Sequence, residues 1–99
     1  MPTLDELKII LSKFFESKPI DKAWIFGSYA RGEQTTSSDI DILVDFNEEN
    51  YPSLFTHAGM ICDLEDIFNL KVDLVPRKNL YPRVQKEVEK DKILIYERS

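Results

Sequence analysis

The sequence predicts an α/β protein, of the α+β kind, in which a small mixed sheet of about four strands is flanked by helices. Two observations predict this class. Apolar residues recur every three or four positions in several segments, which is typical of amphipathic helices. Between these segments lie short aromatic and β-branched runs bounded by Gly or Pro, which is typical of strands. With 99 residues, the chain is expected to form a single domain, residues 1–99, because this length supports only one core.

The predicted elements start with a helix that begins at the capping-box sequence Thr3-Leu4-Asp5-Glu6 and ends near Ser17, before Pro19. The later elements are expected in the order strand 22–26, one-turn helix 28–32, strand 38–46, helix from Pro52 or Ser53, strand 70–75, a last helix and strand 92–96. The helix after residue 52 is predicted to bury a stripe formed by Leu54, Ala58, Ile61, Leu64 and Phe68. The last helix is predicted to place on one face Leu80, Val84 and Val88.

Charge and hydropathy exclude several classes of protein. The chain carries 13 basic and 18 acidic residues, a net charge of −5, and shows no basic patch, so direct nucleic-acid binding is not expected. No apolar stretch approaches the ~20 residues of a membrane span, and no signal peptide is recognisable at the N-terminus. We therefore expect a cytoplasmic protein. Cys62 is predicted to be a small buried thiol and His57 a helix-surface residue without a catalytic role.

Two aspartates one residue apart, Asp39 and Asp41, open the apolar run of the second predicted strand. Because side chains alternate along a strand, both carboxylates point to one face, where their like charges need a proton or a cation. Mg²⁺ is commonly held by one or two carboxylates together with substrate phosphates, so the pair predicts a magnesium site. Taken alone, Ser-Asp-x-Asp is more typical of a turn or a helix cap.

A turn at Gly27 and Ser28 ends the first predicted strand. Glycine lets a backbone approach a ligand closely, and free N–H groups with the Ser28 hydroxyl could bind an anion such as a nucleoside triphosphate. Two neighbours are further nucleotide-binding candidates. Arg31 could contact phosphate or pair with an acidic side chain, and Ser38 could contact the nucleotide or orient the loop before Asp39.

A third carboxylate candidate is Asp73, which lies within the short apolar run 72–75. Aspartate is disfavoured inside strands, so the residue is either an edge-strand charge or part of a site. Placed beside Asp39 and Asp41, it would complete a cluster able to hold two ions for phosphoryl or nucleotidyl transfer. The residues alone leave open whether the α- or the γ-phosphorus is attacked.

Three segments, Gly27–Glu33, Ser38–Asp41 and Val72–Val75, resemble the signature of the DNA polymerase β nucleotidyltransferase superfamily. More narrowly, the chain resembles the minimal nucleotidyltransferases, the MntA-like antitoxins. This resemblance covers almost the whole chain. It implies the nucleotidyltransferase fold, attack of a hydroxyl on the α-phosphorus of ATP with pyrophosphate leaving, two Mg²⁺ ions and catalysis by Asp39, Asp41 and Asp73.

The resemblance also implies an acceptor. MntA-like proteins act with a separately encoded HEPN-type toxin, whose tyrosine hydroxyl receives AMP, in a type VII toxin–antitoxin pair. Two alternatives stay open: a nucleotide-binding module that inhibits its partner by contact alone, and a transferase acting on a small hydroxylated molecule. The second is disfavoured because 99 residues leave no room for a domain that binds such a molecule.

Overall fold

The computed structural model of the chain describes residues 2–98. Its helices are α1 (Leu4–Phe15), α2 (Ser28–Arg31), α3 (Leu54–Phe68) and α4 (Pro82–Asp91), and a single 3-10 turn spans Arg77–Asn79. The strands are β1 (Ile20–Phe26), β2 (Ile40–Phe46), β3 (Val72–Pro76) and β4 (Ile93–Glu97). The predicted element order is therefore confirmed, with boundaries that differ by a few residues.

The four strands form one sheet in the order β3-β2-β1-β4. Strand β1 is antiparallel to both β2 and β4, whereas β2 and β3 run parallel, so the predicted mixed sheet is confirmed. The parallel pair is joined through α3, as a crossover between parallel strands requires. As a result, the starts of β2 and β3 lie side by side at one end of the sheet.

The predicted capping box opens α1. The Glu6 backbone N–H donates to Thr3 Oγ1 at 3.1 Å, and the Thr3 N–H donates to Glu6 Oε1 at 3.2 Å. Both bonds satisfy amides that the first turn of a helix leaves free. The helix ends at Phe15, earlier than predicted, and its buried residues are Leu7, Leu11 and Phe15.

Two apolar layers cover the sheet. Helices α1 and α3 cover one face, where the core includes Leu7, Leu11, Met60, Leu64, Ile25, Ile40, Ile42 and Val44. Helix α4 covers the other face, where Val88 packs with Trp24 and Leu43. Because β2 alternates, Ile40 and Ile42 face the first layer while Leu43 faces α4. Asp41 therefore lies on the α4 side.

The predicted buried stripe of α3 is confirmed in its second half, where Leu64 is buried and Ile61 and Phe68 pack against the core, and is wrong in its first half. Leu54 is 86% exposed, and Ala58 is exposed as well. The buried positions are Met60 and Leu64. The first half of α3 carries no charged residue, so apolar spacing alone could not identify which side faces solvent.

Two further predictions for α3 are wrong, namely that Cys62 is buried and that His57 lies on the helix surface. Cys62 is exposed, because it lies on the outward side of the correctly phased helix. His57 is half-buried, and its Nε2 donates to the Leu74 carbonyl oxygen at 2.8 Å, while its ring stacks edge-on against Phe46. This histidine thus joins α3 to β3 and β2, which no local pattern indicates.

The predicted apolar face of α4 is only partly correct. Leu80 precedes the helix, although it packs in the α4 layer, and Val84 is 41% exposed. Arg77 and Lys92 also pack in this layer, because both place their cationic groups over the Trp24 ring. No helix within residues 2–98 is both long enough and apolar enough to cross a membrane.

Candidate active site

Asp41 and Asp73 occupy paired positions on the parallel strands β2 and β3. Each is the second residue of its strand. Register and alternation turn both carboxylates toward the α4 side of the sheet. The structure therefore brings together two predicted site residues that lie on separate strands and far apart in the sequence.

This pairing changes the acidity of Asp41. Burial, followed by the charge of Asp73 and a hydrogen bond with it, raises the pKa of Asp41 to about 6, and the charge of Asp39 adds to the effect. Arg31 acts in the opposite direction. Closely placed carboxylates disfavour ionisation of one another, so Asp41 binds a proton more readily than an isolated aspartate.

Asp39 precedes β2, which begins at Ile40 rather than at residue 38 as predicted. Its side chain is half-buried and close enough to Asp41 to influence that group's pKa. Among residues 2–98, however, no three His, Cys, Asp or Glu side chains converge into a ready metal-binding group. The arrangement is thus an interacting pair, Asp41 and Asp73, with Asp39 beside it.

Gly27 lies against the Asp41 side chain. The antiparallel register pairs Phe26 with Asp41, so the next residue, Gly27, meets the Asp41 side chain. Gly27 has φ 74° and ψ −149°, a conformation that L side chains rarely adopt. A Cβ there would also collide with the Asp41 carboxylate. Glycine is required for both reasons.

The predicted one-turn helix follows as α2. The Arg31 N–H donates to the Gly27 carbonyl oxygen at 3.2 Å, and the Glu33 N–H donates to that of Ser28 at 2.9 Å. The Tyr29 ring anchors the turn in the core. Among the described residues, no side-chain hydrogen bond engages the Ser28 hydroxyl.

Arg31 and Ser38 are placed differently from Ser28. Arg31 Nε donates to Glu33 Oε1 at 2.8 Å, and its NH1 lies 3.9 Å from Asp91 Oδ2, so it forms the acidic pairing that the sequence left open. Ser38 Oγ accepts from the Thr35 N–H at 2.8 Å, which uses the hydroxyl to order the loop before Asp39. Sequence reasoning missed Asp91, because nothing local links the end of α4 to Arg31.

A groove of about 780 Å³ is lined by other segments, which include Lys18, Tyr51 and Arg98. None of the predicted site residues lines it. Arg98 donates from its guanidinium to the carbonyl oxygens of Phe15, Lys18 and Ile20. These bonds give Arg98 a structural role, and the predicted site residues gather instead at the acidic pair.

Comparison with known proteins supports this choice. The family model described as a nucleotidyltransferase domain matches residues 4–95. A Methanocaldococcus jannaschii protein provisionally named a protein adenylyltransferase is 46% identical, over 96% of this chain and 100% of that protein. The protein adenylyltransferase MntA of Thermococcus cleftensis is 36% identical, over 96% of this chain and 98% of its own length.

The fold is also similar to that of a solved complex. One chain in the structure of a tri-AMPylated Shewanella oneidensis HEPN toxin with its MNT antitoxin superposes with a TM-score of 0.66. The identity is 21%, and the match covers 96% of this chain and 71% of that one. At this identity the likeness concerns the fold alone. The family match and the two closer relatives carry the assignment: the chain belongs to the nucleotidyltransferase domain family.

Proposed function

We propose that this protein is the adenylylating antitoxin of a toxin–antitoxin pair, which transfers AMP from ATP to a tyrosine hydroxyl of a HEPN-type toxin. The observation that supports it most is the pairing of Asp41 with Asp73 beside the Gly27-Ser28 turn. Carboxylates beside a glycine turn suit a metal ion and the phosphates of a nucleotide. The two relatives named as protein adenylyltransferases support a protein, rather than a small molecule, as the acceptor.

The donor set fits magnesium. Asp39, Asp41 and Asp73 offer carboxylate oxygens only. The raised pKa of Asp41 indicates that nearby positive charge does not balance the negative charge of these groups. We propose that Asp39 and Asp41 hold one ion, and that the same pair with Asp73 holds a second. When bound, Mg²⁺ supplies positive charge that offsets the phosphate oxygens and acidifies the acceptor hydroxyl.

The chain's own residues then position the substrates. The Gly27 backbone and the Ser28 hydroxyl hold the β- and γ-phosphates, so that the α-phosphorus is aligned with the incoming hydroxyl. Asp73 accepts the proton of that hydroxyl as the new oxygen–phosphorus bond forms. The bond from the α-phosphorus to the bridging oxygen breaks, and pyrophosphate leaves.

Arg31 and Ser38 have supporting roles in this proposal. Arg31 lies close enough to Asp41 to lower the pKa of that carboxyl, and a guanidinium so placed can exchange its Glu33 contact for a phosphate oxygen. Ser38 orders the loop that presents Asp39. Its part in nucleotide binding is therefore indirect.

The test is adenylylation of the partner. The purified chain is incubated with ATP, Mg²⁺ and the HEPN-type protein encoded beside it, and the intact mass of that protein is measured. We expect a gain in AMP-sized steps that is absent with Asp39→Ala and with a Tyr→Phe acceptor. An unchanged mass together with a stable complex would instead identify a binding module that inhibits by contact alone.

A further inference from the structure

Helix α3 is tied to the start of β3 by one of its own side chains. Glu65 lies half-buried in the last turn of α3, and residues 69–71 connect the helix to Val72, the first residue of β3. The Glu65 carbonyl oxygen accepts from the Asn69 N–H at 2.8 Å, and its side-chain Oε2 accepts from the Val72 N–H at 3.1 Å. Glu65 therefore bonds to the first residue of this connection and to the first residue of the strand that carries Asp73.

The Val72 N–H points to the outer edge of the sheet, because β3 is the outermost strand on its side. The Ile40 N–H donates to the Lys71 carbonyl oxygen at 2.9 Å. In a parallel ladder this bond turns the backbone groups of residues 71 and 73 toward β2, and those of Val72 away from it. The Glu65 carboxylate satisfies the Val72 N–H at this edge, and a bond to a charged acceptor is stronger than one to a neutral oxygen.

The helix that presents Glu65 is anchored in the core. Its neighbour Leu64 is fully buried in a cluster that includes Ile40 of β2 and Val72 of β3. Helix α3 therefore packs on both strands at the end of the sheet where they begin. A carboxylate carried by this helix fixes the start of β3 relative to β2.

Asp73 lies where β3 is most easily separated from β2. It is the second residue of its strand, and strand ends open more readily than strand centres. Its carboxylate also lies beside that of Asp41, and like charges repel. The Glu65 bond restrains the residue before Asp73, and the His57 bond to the Leu74 carbonyl oxygen restrains the residue after it.

We propose that Glu65 is a positioning residue for the site: by holding the Val72 N–H, it keeps Asp73 beside Asp41, where the two carboxylates share a divalent cation. Glu65 acts through the backbone of β3, and its own Oε2 stays bonded at the outer edge. The expected effect on AMP transfer rests on the proposed function. The placement of Asp73 can be measured without any transfer.

The first test separates the reach of the side chain from its charge. Glu65→Asp keeps the charge but is one methylene shorter, whereas Glu65→Gln keeps the reach and an acceptor oxygen. In Glu65→Asp we expect faster hydrogen exchange of the Val72 amide and about tenfold weaker Mn²⁺ binding. Glu65→Gln should resemble the wild type in both measurements. So should Asp66→Asn, which removes an exposed acid from the same helix turn.

Both measurements use the full chain without a partner. NMR of the metal-free protein gives the exchange rate of the Val72 amide. Electron paramagnetic resonance of free Mn²⁺, with a non-hydrolysable ATP analogue present, gives the affinity for the ion. An unchanged Val72 exchange rate in Glu65→Asp would overturn the proposal. Equal impairment of Glu65→Gln and Glu65→Asp would also overturn it, because charge rather than the hydrogen bond would then be responsible.

A double-mutant cycle tests whether Glu65 acts through Asp73. In the wild-type background Glu65→Asp should weaken Mn²⁺ binding about tenfold, but in an Asp73→Asn background by less than about twofold, since the affected ligand is already lost. The same loss in both backgrounds would show a general loosening of the fold and would contradict a positioning role.

Transfer kinetics complete the test. Glu65→Asp should lower kcat for AMP transfer to the HEPN-type partner about tenfold and leave the KM for ATP unchanged, because Gly27 and Ser28 are unaffected. A fall in ATP binding with unchanged kcat would contradict the proposal. If the wild-type chain transferred no AMP, the proposed function would fail, and the Mn²⁺ cycle and the exchange of Val72 would still decide the role of Glu65.

Discussion

Asp41 and Asp73 are paired across the parallel strands β2 and β3, and burial together with this contact raises the pKa of Asp41. The two residues are far apart in the chain, and each alone is an unfavourable strand residue. Folding places them side by side because α3 returns the chain to the edge of β2. The Asp41 and Asp73 carboxylates therefore repel each other at one end of the sheet, and a cation bound there would reduce this repulsion.

The first prediction concerns pH. Asp41 has a pKa of about 6 in the folded chain, against an ordinary value of 3.8, so folding strengthens its hold on the proton. The stability that this group contributes is complete below its ordinary pKa and is lost as the pH rises through about 6. We expect a loss of about 1 kcal/mol, reduced from the full linkage value by solvent screening. Urea unfolding in EDTA across this range measures it.

Asp41→Asn supplies the control, because the amide is uncharged at every pH. Its unfolding free energy should show less pH dependence than the wild type and should be higher at neutral pH without metal. Equal pH profiles for the two proteins would show that the raised pKa of Asp41 does not contribute to stability.

The second prediction concerns metal binding. Mg²⁺ together with a non-hydrolysable ATP analogue should raise the Tm of the wild-type chain, because ligands that bind only the folded state stabilise it. Asp73→Asn should remove most of this increase. Glu87→Gln, which removes an exposed acid of α4, should retain it. Thermal unfolding by circular dichroism, with and without EDTA, distinguishes the cases; an equal Tm increase in Asp73→Asn would contradict a metal role for Asp73.

The third prediction compares two glycines with positive φ. Gly27→Ala puts a Cβ into the Asp41 carboxylate and forces a strained backbone, so we expect loss of nucleotidyl transfer and destabilisation by about 2 kcal/mol or more. Gly32 has φ 70° and open space around its Cβ position. Gly32→Ala should therefore cost about 1 kcal/mol from backbone strain alone and leave most activity. Chemical denaturation and a transfer assay on both variants are the measurements.

The fourth prediction concerns His57. The His57 Nε2 proton is donated to the Leu74 carbonyl oxygen, and the ring packs on Phe46. His57→Ala leaves this carbonyl without its donor and should destabilise the chain by about 1–2 kcal/mol, without changing the pH profile of catalysis. His57→Gln retains an N–H donor and should recover part of the loss. If kcat fell in both variants while stability was unchanged, the histidine would have a catalytic rather than a structural part.

Sequence patterns were most successful where interactions between near neighbours in the chain determine the local structure. The capping box at Thr3 and Glu6, and the turn at Gly27 and Ser28, depend on backbone interactions within a few residues, so both could be predicted. The strand type of residues 40–46 follows from a local apolar run in the same way. For the same reason, the spacing of Gly27, Asp39 and Asp41 was sufficient to suggest a phosphate and metal site.

Patterns failed where remote elements decide burial. Apolar residues occur on several sides of the first half of α3, so only the sheet beneath the helix selects Met60 as buried and leaves Leu54 exposed. The bond from His57 to the Leu74 carbonyl has no local signal for the same reason.

By itself, the sequence determined the class of fold, the order of its elements and the identity of the candidate site residues. Only the tertiary structure decided that Asp41 faces Asp73, that Gly27 lies against Asp41, and that Arg31 pairs with Glu33 and Asp91. Backbone propensity and turn chemistry act between near neighbours and can be inferred from the chain directly. Register, helix phase and pKa depend on segments that meet only after folding, because burial and charge are properties of the assembled core.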